Sequence, residues 1–341
     1  MRFVRVLALA WAALPFLAVH ADEVEDFYAG KQVSLYIGYT AGGGYDTYAR
    51  VLARHIGKHI PGNPTVVPQN MPGAGSLTLA NYLYNIAPKD GTVFGTIGRG
   101  LAMEPLLGGA GTRFDATQIT WIGSMNNEVS VCVSWYTSPV KNVEDMRAHE
   151  LIVGGTGSGS DTDTFPVVLQ KLLDLRIRLI SGYPGGSDVL LAMERGEVDG
   201  RCGWSWGSVL AVRPEWLAEN KISVLLQMAL TKHPDLPNVP LVTDLARNDD
   251  ERAAMELIFA RQVMGRPYLA PPGIPEARRA ALRRAFDATL QDPEFLEDAR
   301  RIDLELNPVT GEEIETLIRR IYAATPTAVA IASDAIRKVG E

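Results

Sequence analysis

The chain has 341 residues, of which 46% are apolar and 21% charged, and it carries a formal net charge of −7. This is ordinary globular composition with ample material for a core, and the length exceeds that of a typical single domain, so two lobes are expected. The acidic balance and the lack of any basic cluster argue against nucleic acid and anionic membrane surfaces as partners.

Arg2 and Arg5 open the chain, and residues 6–19 then run without a charge. The run closes on Val19-His20-Ala21, and acids follow at Asp22, Glu23, Glu25 and Asp26. That is the layout of a secretory signal over residues 1–21, with cleavage after Ala21. The run contains Pro15 and is shorter than the roughly 20 apolar residues that a membrane span needs. Export of a soluble mature chain is expected, with no cysteine near the cleavage point to carry a lipid.

The elements follow in order. Residues 31–39 read as a strand, 41–44 as a glycine-rich break and 46–59 as a helix on which Asp46 and Arg50 pair at i, i+4. Residues 65–69 form a strand and 71–75 a turn. Residues 76–85 form a helix capped by Ser76, and 92–97 a strand. Residues 119–135 have strand character, interrupted at Asn126-Asn127. A second run then gives strand 151–153, loop 154–160, helix 161–173, strand 176–180, loop 183–186, helix 187–195 and strands 198–202 and 222–228. Residues 232–240 are a proline-rich connector. Residues 251–259, 276–291, 293–300 and 312–338 read as helices. The repeated strand, glycine loop and helix argue for parallel α/β layers.

Few residues invite catalysis. Gly203-Trp204-Ser205-Trp206-Gly207 matches the G-x-S-x-G nucleophile elbow. A hydrolase would need an acid and then a histidine after the serine, and His233 in the connector is the only later one. The expectation is therefore a structural turn and no enzyme activity; the rival reading is a secreted α/β hydrolase using Ser205. His55 and His59 sit at i, i+4 without a third ligand beside them, so they read as a helix face rather than a metal site. Cys132 and Cys202 leave two readings open: export permits a bridge, and both also suit small buried positions.

Residues 155–159 read Gly-Thr-Gly-Ser-Gly, but Ser160 stands where the dinucleotide fingerprint wants its last glycine. No cofactor is expected. What such a loop does provide is backbone N–H groups at the positive end of a helix, which suits a carboxylate. Three loops of this kind, residues 39–46, 154–161 and 183–187, come from the two halves of the chain and would face each other across a cleft.

The motifs Gly42-Gly43-Gly44-Tyr45-Asp46, residues 68–75 (Pro-Gln-Asn-Met-Pro-Gly-Ala-Gly), Ala87-Pro88-Lys89-Asp90-Gly91, Tyr183-Pro184-Gly185-Gly186-Ser187, Gly196-Glu197-Val198-Asp199 and residues 270–275 (Ala-Pro-Pro-Gly-Ile-Pro) occur in this order. In that order they resemble the TctC/Bug family, the extracytoplasmic solute receptors of tripartite tricarboxylate transporters. The similarity covers nearly the whole mature chain. It implies a type II periplasmic-binding-protein fold, two α/β lobes with a ligand cleft between them. Residues 22–124 and 241–341 would form a discontinuous first lobe, and 125–240 the second. It further implies a periplasmic monomer that closes on a small carboxylate-bearing ligand and delivers it to the membrane subunits of a transporter. The ligand-binding residues expected are Tyr39, Thr40, Ala41, Gly42, Gly43, Gly44 and Asp46 on the first lobe and Thr156, Gly157, Ser158, Gly159 and Ser160 on the second. Tyr183, Pro184, Gly185 and Gly186 lie beside them, and Arg99 and Trp204 occupy further cleft positions. The chain departs from the family at Tyr39-Thr40-Ala41, where prolines often precede the first glycine pair.

Overall fold

The computed structural model describes residues 23–39, 41–42, 44–108, 111–156, 160–183 and 186–336. The expected signal segment lies outside them, as do Thr40, Gly43, Gly157, Ser158, Gly159, Pro184 and Gly185.

The described residues form eleven strands: β1 Gln32–Ile37, β2 Thr65–Asn70, β3 Val93–Thr96, β4 Thr120–Ser124, β5 Ser130–Trp135, β6 Leu151–Gly155, β7 Ile177–Ser181, β8 Gly200–Ser205, β9 Ile222–Met228, β10 Pro267–Ala270 and β11 Val309–Thr310. The longer helices are α1 Gly44–Ile56, α2 Leu77–Asn85, α3 Asp161–Leu173, α4 Gly186–Glu194, α5 Trp206–Val212, α6 Asp249–Phe259, α7 Glu276–Thr289, α8 Pro293–Arg301, α9 Gly311–Tyr322 and α10 Pro326–Ile336. They build two α/β layers around two separate sheets. The first sheet has the order β11-β4-β10-β3-β1-β2 and the second β7-β6-β8-β5-β9.

Local chemistry explains the elements. In β1 the alternate residues Val33, Leu35 and Ile37 are fully buried, the period of a strand with one face in the core. Helix α9 starts on a capping box in which Thr310 and Glu313 exchange hydrogen bonds. Asp46 and Arg50 pair at 2.9 Å on α1, as the spacing predicted.

Parallel layering holds only in part. β1 pairs in parallel with β2 and β3, and β6 with β7 and β8. β10 enters the first sheet antiparallel to both neighbours, and β5 runs antiparallel to β8 and β9. β10 is four residues long and wholly buried, too short to display a period in the sequence. The expected strand-rich stretch 119–135 divides into β4 and β5, which belong to different sheets. Residues between them carry the chain across, held by Met125 N–H to Arg266 O at 3.1 Å and Glu128 N–H to Gln262 O at 2.8 Å.

Two further expectations are corrected. The last helix breaks into α9 and α10 ahead of Pro326, which cannot continue the hydrogen-bond ladder of α9. Ser76 has a left-handed backbone, φ +73°, and makes no side-chain cap to α2. Its hydroxyl instead accepts from the Gly98 N–H at 2.7 Å.

The seam between the sheets is covered by helices from the C-terminal part. Phe165 of α3 meets Phe259 of α6 edge-on at 4.9 Å, and Lys171 of α3 donates to Asp334 O of α10 at 2.7 Å. Burying each such aromatic stabilises the fold by roughly 1.5–3 kcal/mol. In the second sheet Cys132 and Cys202 are register partners on β5 and β8 and form a disulfide across 70 residues of chain, which decides between the two readings of these cysteines. Among the described residues no helix is long and apolar enough to cross a membrane.

Candidate ligand cleft

A cleft of about 670 Å³ opens at the carboxyl ends of β1, β3 and β6, between the two sheets. Its first wall carries Tyr39, Tyr45, Gly98, Arg99 and Gly100; its second carries Thr156, Ser160, Asp161, Thr162 and Gly203. Tyr39 and Tyr45 stack at 4.4 Å, and the Tyr45 hydroxyl accepts from the Arg99 N–H at 3.0 Å. Burial, the largest influence, pushes the Tyr39 phenol up to about 12, so it stays protonated and able to donate at neutral pH. Thr156, Ser160 and Thr162 join through short hydroxyl contacts where the chain enters α3.

An ion network crosses the cleft floor. Arg99, from the first-sheet side, pairs with Glu128 of the crossing segment and with Asp161 at the start of α3. Arg266 reaches Glu128 at 3.2 Å and Arg261 reaches Asp161 at 3.7 Å. Arg266 also lies over the rings of Tyr45 and Tyr48 at 4.8 and 4.9 Å. Glu104 is on the cleft wall too. Three guanidiniums therefore pair with two carboxylates, Glu128 and Asp161, and Glu104 adds a third acidic side chain on the wall.

Gly203 separates this cleft from a second cavity. Its φ of +78° belongs to glycine, and a Cβ there would come within 2.6 Å of the Asp161 backbone. The glycine thus lets β8 pass directly beneath the entry to α3, at the irregularity in the β5–β8 register. The second cavity, about 360 Å³, is lined by Arg99, Glu128, Gly186, Arg201, Trp204 and Arg266, with the serines at 187, 205 and 208.

Of the expected site residues, Tyr39, Arg99, Thr156 and Ser160 are on the cleft wall, and Gly186 and Trp204 are on the wall of the second cavity. Ala41, Gly42, Gly44, Asp46 and Tyr183 are on neither. Asp46 is buried and holds its loop to α1. Desolvation would raise its pKa, but hydrogen bonds from Arg50, the Gly42 N–H and Asn70 outweigh it and keep the carboxyl at about 2. Tyr183 packs over Gly154, and its N–H donates to Gly155 O at 3.1 Å. Sequence reasoning missed Tyr45, Asp161, Arg201, Arg261 and Arg266. Tyr45 and Asp161 lie within loops it had marked but were not singled out there, whereas nothing local distinguishes Arg201, Arg261 or Arg266 from surface arginines.

The serine of the elbow motif does occupy a strand-to-helix turn, between β8 and α5. Its backbone is relaxed, with φ −58° and ψ 133°, and among the described residues no histidine bonds its hydroxyl. The His233 ring nitrogen instead accepts from the Asp235 N–H at 3.1 Å. His55, Asp292 and Glu294 can bring one ligand atom each within 4.8 Å of one another. Lys58 already holds both carboxylates of that group, at 2.6 Å each, and supplies their counter-charge.

No family profile matches the chain. It is 24% identical over 315 residues to a Cupriavidus necator protein, the UPF0065 protein in the gbd 5' region, which spans 88% of this chain and 86% of that one. Among solved structures it is similar to a TctC solute-binding protein from Polaromonas, with TM-score 0.69 and 18% identity, covering 90% of this chain and 99% of the other. It is also similar to MatC from Rhodopseudomonas palustris with bound malate, with TM-score 0.57 and 19% identity, covering 90% and 99%. The resemblance to TctC/Bug proteins read from the motifs is borne out along the length of the chain, and the fold is the two-lobed one of these binding proteins.

Proposed function

We propose that the chain is a periplasmic solute-binding protein of the TctC/Bug type that captures a small carboxylate-bearing ligand and delivers it to tripartite-transporter membrane subunits. The observation that carries this reading is the cleft between two sheets at the carboxyl ends of β1, β3 and β6. Hydroxyl-bearing Tyr39, Thr156, Ser160 and Thr162 line it beside the positive end of α3, groups that can donate to an anion. MatC, which shares the fold, was solved with a dicarboxylate bound. The expected loop residues at 40–44 and 156–160 belong to the same proposal as the rims of this cleft.

Capture proceeds by hinge closure. The lobes are residues 22–124 with 241–341 and residues 125–240, exported behind the signal at 1–21. The short crossing between β4 and β5 supports a hinge there, since it is the direct link between the sheets. The relaxed backbone of Ser205 supports binding over hydrolysis. The test is thermal melting and calorimetric titration against a panel of small mono- and dicarboxylates. A ligand that binds only the native state raises the melting temperature by mass action. A panel without any stabilising acid, or ester hydrolysis abolished by Ser205→Ala, overturns the reading.

A further inference from the structure

Arg201 differs from every arginine of the cleft floor. It projects from β8 under the start of α4, where one guanidinium nitrogen donates to Gly186 O at 3.2 Å. Its Nε is buried without any hydrogen-bond partner, and among the described residues no carboxylate pairs with it. The Trp204 ring lies 5.2 Å away and gives only a weak counter-interaction. Desolvation alone pulls its pKa down to about 10, which still leaves it cationic at neutral pH.

Arg201 is the uncompensated guanidinium of a cavity of about 360 Å³: of the other two arginines on its wall, Arg99 is paired with Glu128 and Asp161, and Arg266 with Glu128. The α4 helix begins on the same wall and adds the positive end of its dipole, so the backbone compounds the cation instead of offsetting it. Hydroxyls of Ser187, Ser205 and Ser208 line the remainder and can donate. A desolvated cation without a carboxylate partner costs stability, and an oxyanion would remove that cost.

We infer that this cavity is an oxyanion subsite adjoining the cleft, with Arg201 as its anchor. The two cavities share Arg99 and Gly203 in their walls, so a ligand gripped in the cleft by one carboxylate can extend a second acidic group towards Arg201. In that form the inference rests on the reading of the cleft as a carboxylate site. Arg201 then selects ligands with two acidic groups over otherwise matched ligands with one. A free inorganic oxyanion has the same chemistry and would fill the cavity independently.

The experiment compares the purified protein with Arg201→Gln and Arg201→Lys by titration and melting. The probes are succinate against butyrate, adipate against hexanoate, and sodium sulfate at constant ionic strength. The diacids are expected to bind the parent at least tenfold more tightly than their matched monoacids. Arg201→Gln removes that difference, and Arg201→Lys retains part of it. Sulfate should stabilise the parent saturably and lose at least tenfold in affinity in Arg201→Gln, beyond the general salting effect common to both. Loss of the sulfate response without any diacid preference assigns the cavity to a free oxyanion. An Arg201→Gln protein that keeps both responses, or a parent that shows neither, overturns the inference. A parent that responds to sulfate but to no carboxylic acid defeats the reading of the cleft and leaves the Arg201 site standing. Should Arg201→Gln fail to fold, Ser208→Asp supplies a carboxylate to the same cavity. It is expected to abolish the sulfate response, and an unaltered response there overturns the inference as well.

Discussion

The two cavities use the same residue type in opposite ways. In the cleft, Arg99, Arg261 and Arg266 are tied to Glu128 and Asp161, so their charge is spent on holding the crossing segment and the start of α3 together. In the adjoining cavity Arg201 has no acid to hold among the described residues. An arginine is available to a ligand only to the extent that the fold leaves it uncompensated. By that measure the smaller cavity presents a charged side chain, and the cleft presents the hydroxyl-bearing Tyr39, Thr156 and Ser160.

The largest effect should come from the disulfide that anchors β8 next to Arg201. Reduction releases a constraint across 70 residues, and the loop-entropy model puts its cost at about 4 kcal/mol. Denatured, unreduced protein should show no free thiol, and reduction should lower the urea midpoint sharply. Two free thiols before reduction would remove the anchor from the comparison.

Glu128→Gln tests the balanced side. It leaves Arg99 and Arg266 facing each other without their shared carboxylate and should cost about 3 kcal/mol, read as a shift of the urea midpoint at constant slope. A loss below about 1 kcal/mol, the size of a surface pair, would mean that the network is a solvated decoration and that the contrast with Arg201 is false.

Asp46 comes next. Its carboxyl is held at about 2, below the usual aspartate value near 4. The stability it contributes is present in full above the unfolded value and is lost as pH falls through about 2. The shift corresponds to roughly 2 kcal/mol. Asp46→Asn should therefore destabilise the protein at pH 7 by about that amount and flatten the acid limb between pH 4 and 2. An unchanged acid limb would mean that Asp46 does not tie the Gly42 backbone to α1.

The smallest effect is expected at Arg201. Arg201→Met removes a desolvated cation that has a single backbone acceptor, and unfolding in the absence of ligand should change by less than about 1 kcal/mol. A loss comparable to that of Glu128→Gln would show that Arg201 is a structural member of the fold and would erase the difference between the cavities.

Much of this molecule was legible in order along the chain. The strand β9, the helix α3, the Asp46–Arg50 pair and the ordered glycine motifs depend on interactions a few residues apart, which periodicity records directly. β10 escaped because four buried residues have no period to read. The splitting of β4 from β5 escaped because both strands are apolar and only their partners differ.

Sequence alone determined the α/β class, the family resemblance and the improbability of a serine triad, since each rests on local order or composition. The tertiary structure alone decided that Cys132 faces Cys202, that Ser76 turns to Gly98, and which arginines are neutralised. Those facts depend on residues brought together from distant parts of the chain. Whether a charge is paired or exposed to a ligand is a property of the burial and partners that folding creates, and the order of residues does not record it.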